Sequence, residues 1–148
     1  MVVTTSCLID RPPEAVWPLL THSEMTHPGV FCLGLPKPVR CELPDGSGGV
    51  GSERRCVSDR GIVIQRILEW APPACLRFEM ISTDHTWSRF VESLVEAFTL
   101  EPVGSGTKVT RRTTVTGKPG LRFLKEAAIA IGLKRVHLYV FKNWKHPR

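Results

Sequence analysis

At 148 residues, with 42% hydrophobic and 23% charged residues, the chain has the size and composition of one globular domain able to bury a core. The formal net charge is +6, but the basic residues are spread from Arg11 to Arg148 without a block of about five or six like charges, so no nucleic-acid partner is expected. The most apolar stretch, Leu121 to Trp144, is broken by Lys125, Glu126, Lys134, Arg135 and Lys142, whereas a membrane span needs roughly 20 apolar residues; it reads as a buried helix with no integral membrane segment.

Val2 to Ile9, rich in β-branched and apolar residues, predicts a first strand. Asp10 can cap the helix that follows, and Pro12 or Pro13 suits a first helical turn, where a missing N–H is harmless. Val16, Trp17 and Leu20 share a face of this helix, and Pro18 keeps it short. Residues 21–48 hold Pro28, Pro36, Pro38 and Pro44, which forbid a continuous helix; Phe31, Leu33 and Leu35 suit a lid or pocket wall as well as irregular packing, and Val39 to Leu43 can form a short strand.

Gly46 to Gly51 matches the letters of a dinucleotide-binding G-x-G-x-x-G loop, but that motif needs a strand before it and a helix after it. Pro44-Asp45 precedes it and a strand-like run follows, so it predicts a turn or bulge in an antiparallel sheet. Strands are then expected at Ser52–Ser58, Ile62–Trp70, Leu76–Ser82, Trp87–Leu100 and Thr107–Thr116. Asp59-Arg60-Gly61, Ala71-Pro72-Pro73, Thr83-Asp84 and Gly104-Ser105-Gly106 separate them. The short connections suit hairpins rather than βαβ crossovers. Lys118-Pro119-Gly120 ends the sheet. The last helix shows Leu121, Leu124, Ala128, Ile131 and Leu138 on one side and Ile129, Leu133, Val136 and Val140 on another, a pattern expected of a helix buried on more than one face.

Five cysteines (Cys7, Cys32, Cys41, Cys56 and Cys75), odd in number and without a C-x-x-C pair, predict neither a disulfide framework nor a zinc knuckle. The N-terminus lacks a basic region followed by an apolar one, so no secretory signal is read and a cytoplasmic location is expected. His22, His27, His85, His137 and His146 form no metal-ligand pair, and Gly104-Ser105-Gly106 is a turn rather than a nucleophile elbow, so neither a metal nor another cofactor is expected. Charged residues on apolar strands are of more interest: Arg66 among Ile62, Ile64, Leu68 and Trp70; Glu92 and Glu96 beside Leu94 and Phe98; Arg112 among Thr110, Thr114 and Thr116. An Arg–Glu pair facing inward could orient a ligand or move a proton, but the simpler reading, and the preferred one, exposes each at a sheet edge. His85 and Trp87 could line a cavity mouth or be ordinary turn residues, and Trp17, Trp70, Phe78, Phe98 and Phe123 read as core.

The order of these elements resembles the START-like superfamily, and within it the SRPBCC group of polyketide cyclase/dehydrase-like proteins. Ile9-Asp-Arg-Pro-Pro-Glu-Ala-Val-Trp17 resembles the family's entry into its first helix; Gly49-Val-Gly51-Ser, Gly61 and Leu68-Glu69-Trp70 through Phe78 resemble its Gly turn and Pro-Pro hairpin; Phe98-Thr-Leu-x-Pro102 with Gly106 to Thr110 resembles its last hairpin. The resemblance covers nearly the whole chain, 1–148, as one domain. It implies an α+β helix-grip fold: a curved antiparallel sheet of about seven strands wrapped around the long C-terminal helix, one or two short helices after strand 1, and a cavity between sheet and helix. A small hydrophobic or amphipathic ligand, lipid or polyketide-like, is then the expected partner of a monomer or homodimer. A cyclase/dehydratase enzyme and a co-chaperone-like interaction module are the alternatives. Trp70, Phe78, Trp87, Glu96, Phe98, Arg112, Leu124 and Ile131 are the candidate cavity residues; no catalytic residue is assigned.

Overall fold

The computed structural model describes residues 1–21, 23–24, 38–42, 49–58, 61–83, 91–118, 120 and 122–145. Strand β1 (Val2–Ile9) leads into helix α1 (Pro13–Thr21). Strands β2 (Ser23–Glu24), β3 (Pro38–Glu42), β4 (Glu53–Ser58), β5 (Gly61–Ala71), β6 (Cys75–Thr83), β7 (Val91–Val103) and β8 (Gly106–Gly117) follow, and helix α2 (Arg122–Lys145) comes last. They make one sheet in the order β1-β8-β7-β6-β5-β4-β3-β2, with every neighbouring pair antiparallel. Seven substantial strands carry it, since β2 is a stub of two residues. From β2 to β8 the sheet follows chain order; only β1 lies apart, joining β8 at the far edge.

Local chemistry explains the connections. Pro13 opens α1, and the carbonyl of Pro12 accepts from Ala15 N at 2.9 Å and Val16 N at 3.1 Å, so the prolines cost no helical hydrogen bond. Val16 and Leu20, one turn apart, are fully buried. A two-residue loop, Gly104-Ser105, closes the β7–β8 hairpin, with Gly104 at φ 59°. At Gly106 a Cβ would lie 2.8 Å from the carbonyl oxygen of Ile9, so the end of β1 closes on the hairpin only if that position has no side chain. Gly49 and Gly51, at φ 119° and 91°, turn the chain into β4; a strand follows them, not a helix.

Helix α2 lies across the concave face. Val136, Tyr139, Val140, Phe141 and Trp144 share a buried cluster with Ile9 of β1, Val109 of β8, Phe98 of β7, Phe78 of β6 and Ile67 of β5. Ile129 and Leu133 join a second cluster with Val3, Val91, Leu94 and Val115. Both ends of the helix are tied down: Gly117 N donates to Glu126 Oε1 at 3.0 Å, and Arg11 Nη2 donates to the carbonyl of Trp144 at 2.7 Å. The sheet reaches one side of the helix only. Leu124 (59% exposed), Ile131 (58%) and Leu138 (53%) point outward, correcting the expectation of a helix buried on more than one face.

The expectation of unpaired thiols is also corrected. Cys41 and Cys56 stand opposite each other on β3 and β4 and form a disulfide, with Cα atoms 4.1 Å apart, while Cys7 and Cys75 are free. Sequence spacing alone could not reveal a pair that strand register creates. The expected lid over 21–48, apart from short strands, together with His85, Trp87 and the side chain of Phe123, lies outside the described residues.

Candidate functional site

The two apolar clusters are separated by a belt of polar side chains that crosses the inner face. On each contributing element it sits between apolar neighbours. Thr5 lies between Val3 and Ile9 on β1, Glu96 between Leu94 and Phe98 on β7, Arg111 and Thr113 between Val109 and Val115 on β8, and His137 between Leu133 and Val140 on α2. Strand register aligns the row: Glu96 is opposite Thr113, Arg111 opposite Thr5, and, farther across the sheet, Arg54 opposite Gln65. All seven residues are buried.

Their hydrogen bonds have one direction. Arg111 Nε donates to Glu96 Oε1 at 3.1 Å, and Arg111 Nη2 makes a second, shorter bond to the same oxygen. Thr113 Oγ1 donates to Glu96 Oε1 at 3.0 Å, because an ionised carboxylate only accepts. With that proton committed, Thr113 Oγ1 accepts from His137 Nε2 at 2.7 Å, and His137 Nδ1 accepts from Thr5 Oγ1 at 2.9 Å. The network therefore assigns the Nε2–H tautomer and forms a chain from Thr5 through His137 and Thr113 to Glu96. Burial, followed by the neighbouring Arg111 charge, lowers the His137 pKa to about 3, so the ring is neutral at physiological pH. Burial opposes ionisation of Glu96, yet Arg111 and Arg54 outweigh it and hold the carboxyl below its ordinary value.

Arg54 occupies the other end of the belt. Its Nη1 donates to Gln65 Oε1 at 2.7 Å and lies 3.2 Å from Cys56 Sγ, and its guanidinium sits 4.6 Å from the centroid of the Phe78 ring. Arg111 lies 5.2 Å from the centroid of Phe98, which stacks on Phe78 at 6.1 Å and meets Trp144 at 5.7 Å. Burial lowers the Arg54 pKa to about 10, still well above neutral pH. Among the described residues no group of three or more His, Cys, Asp or Glu converges to hold a metal, and no helix is long and apolar enough to cross a membrane.

Of the candidate cavity residues, Phe78, Glu96 and Phe98 are buried together around this belt, and half-buried Trp70 packs edge-on against Trp17 at 5.2 Å. The preferred solvent-edge reading of Glu96 is therefore corrected. Three candidates lie elsewhere. Arg112 is exposed because β8 turns its odd-numbered residues inward. Leu124 is on the outer side of α2, and Ile131 lines an open surface recess of about 560 Å³ with Val2 to Thr4, Lys134 and Arg135. Arg66 and Glu92 also face outward: Arg66 lies 4.0 Å from Glu79, and a bulge between Val91 and Ser93 changes the phase of β7 before Leu94.

Sequence reasoning missed Arg54, Gln65, Arg111, Thr113 and His137. For β8 the signal was present: Val109 and Val115 share parity with Arg111 and Thr113. His137 lies one turn from Leu133, on the side that also carries Val140. Gln65 was hidden by a bulge on β5 between Ile67 and Glu69, which gives outward-facing Ile62, Ile64 and Arg66 the same parity as Leu68 and Trp70. Arg54, inside the run Glu53-Arg54-Arg55, carried no distinguishing pattern.

The model of a family described as polyketide cyclase/dehydrase and lipid transport matches residues 1–143. No curated protein is significantly similar in sequence. Similar solved structures include the Zhui aromatase/cyclase from a Streptomyces species (TM-score 0.68, 10% identity, 97% of this chain and 90% of that one). A START superfamily protein from Mycobacterium smegmatis gives a TM-score of 0.65 at 14% identity, over 96% of this chain and 95% of that one. The Aha1 dimer from Colwellia psychrerythraea gives 0.57 at 15% identity, over 98% and 96%. At these identities the likeness is one of fold: the helix-grip arrangement of sheet and C-terminal helix.

Proposed function

Since the chain belongs to the polyketide cyclase/dehydrase and lipid transport family, we propose that it binds a small apolar or amphipathic molecule, lipid or polyketide-like, between the concave sheet and helix α2. The observation that carries this reading is the polar belt itself. A domain that needed only stability would fill this interior with apolar groups, because buried ion pairs seldom improve on well-packed hydrophobic residues. Here an Arg–Glu pair, a second arginine and a neutral histidine occupy the space between two apolar clusters. A few placed polar groups among apolar walls are what orients a ligand in a concave site. Native mass spectrometry of the purified protein, followed by denaturing extraction, tests the reading. A discrete extractable mass is expected; a clean apo mass and no thermal stabilisation by a lipid and polyketide panel would refute it.

A cyclase or dehydratase activity is the second reading, favoured by one observation: His137 and Glu96 are joined through Thr113 in a single hydrogen-bond chain. With its pKa held near 3, His137 is a weak proton acceptor at neutral pH, which places binding ahead of turnover. Turnover of an extracted ligand, lost in His137→Asn, would support the enzyme.

A further inference from the structure

The interior holds an unbalanced charge. Arg54 and Arg111 are both buried and both cationic, while Glu96 is the only buried carboxylate among the residues whose side chains are described. Arg111 takes Glu96 for itself with a two-nitrogen clasp. Arg54 reaches only the neutral Gln65 amide and a disulfide sulfur, and makes no salt bridge among the described residues.

The hydrogen-bond inventory is unbalanced in the same sense. Two buried side-chain atoms among the described residues lack a partner, Arg54 Nε and Trp144 Nε1, and both are donors. A buried donor left unmade is destabilising, more so for a charged group. Both belong to one run of rings, with Arg54 over Phe78, Phe78 on Phe98 and Phe98 against Trp144. Excess positive charge and excess donors beside aromatic surface are complementary to a molecule that supplies acceptor oxygens, one negative charge and an apolar body.

Resting on the proposed binding role, we infer that the ligand is a monocarboxylate with an apolar chain or ring, its carboxylate seated on Arg54 and its apolar part against Phe78 and Phe98. A carboxylate matches the planar guanidinium fork. Its single charge also neutralises the excess, whereas a phosphate monoester carries about −1.5 to −2 at pH 7 and would overshoot.

Calorimetric titration of the full chain with matched probes tests this: decanoate against decanol, and naphthoate against naphthylmethanol. The wild-type protein should bind at least one carboxylate about tenfold or more tighter than its alcohol, a difference of about 1.4 kcal/mol. Arg54→Met should erase that discrimination, and Arg54→Lys should retain part of it. Equal binding of acid and alcohol by the wild type would overturn the carboxylate assignment while leaving the binding role standing. A preference for the acid that survives in Arg54→Met would overturn the role of Arg54. Failure of every probe to bind would overturn both the assignment and the binding role. If Arg54→Met does not fold, the wild-type acid-to-alcohol ratio and the Arg54→Lys variant decide.

Discussion

Replacing Glu96 by Gln removes one negative charge from a side chain that is only 3% exposed and leaves its shape nearly unchanged. In the wild type, Glu96 Oε1 accepts from Arg111 Nε, Arg111 Nη2 and Thr113 Oγ1. Afterwards Arg111 and Arg54 remain buried and cationic with no anion between them. Breaking a buried pair from one side destabilises by about 3–5 kcal/mol, because the remaining charge is uncompensated. With an unfolding entropy of roughly 2.1 cal/mol/K per residue, about 0.3 kcal/mol/K over the 148 residues, the melting temperature should fall by about 10–16 °C. Urea unfolding followed by tryptophan fluorescence, together with a thermal melt, gives both numbers. The double variant Glu96→Gln/Arg111→Met removes the cation too and should recover at least half of the loss. A loss below about 1 kcal/mol for Glu96→Gln, the range of a surface pair, would refute a desolvated Glu96–Arg111 pair.

Phe98→Ala, which vacates a site between Phe78 and Trp144, should cost about 3–5 kcal/mol by the same urea titration. Arg112→Ala, at the exposed neighbouring position, should stay within about 0.5 kcal/mol of wild type. His137 has a folded pKa of about 3 against an ordinary 6.5, so between those values the unfolded chain binds more protons. Its contribution to stability is therefore fully present above pH 6.5 and is lost as pH falls toward 3. From pH 6.5 to 5 the loss should be about 2 kcal/mol, at roughly 1.36 kcal/mol per pH unit, and urea titrations of His137→Asn should show a flatter profile there. Glu96, with its pKa below the ordinary 4.5, adds a further loss at lower pH, as acid protonates it through its depressed folded value. The Cys41–Cys56 bridge closes a loop of sequence separation 15; its reduction should cost about 3 kcal/mol, and thiol counting on the unreduced, unfolded protein should find both residues unreactive.

Much of the site was within reach of the sequence once the phase of each strand was right. Leu76, Phe78 and Met80 alternate cleanly with Arg77 and Glu79, and β6 turns the same set inward. On β8 the threonines at 110, 114 and 116 share the parity of Arg112, whereas Val109 and Val115 place the neighbouring Arg111 on the apolar face. A period of two makes a one-residue error in phase a complete exchange of faces. Bulges on β5 and β7 shift that phase within a strand, so Arg66 and Glu92 have the parity of apolar neighbours and yet face solvent, as the preferred reading has them.

Element order, strand boundaries to within about two residues over most of the sheet, the Pro-started helix and the glycine turns follow from the chain alone. They depend on near neighbours: proline removing an N–H, glycine admitting a positive φ, β-branched residues favouring extended backbone. What the tertiary structure decided is which distant groups meet. Glu96 and Arg111 are 15 residues apart, and Thr5 and His137 are 132 apart. Cys41 meets Cys56 because β3 and β4 pair in that register. Only one side of α2 is covered, since a sheet can close on a helix from one direction while the other remains in solvent. Coulombic and hydrogen-bond energies depend on separation in space, and spacing along the chain constrains that separation only within an element or a hairpin.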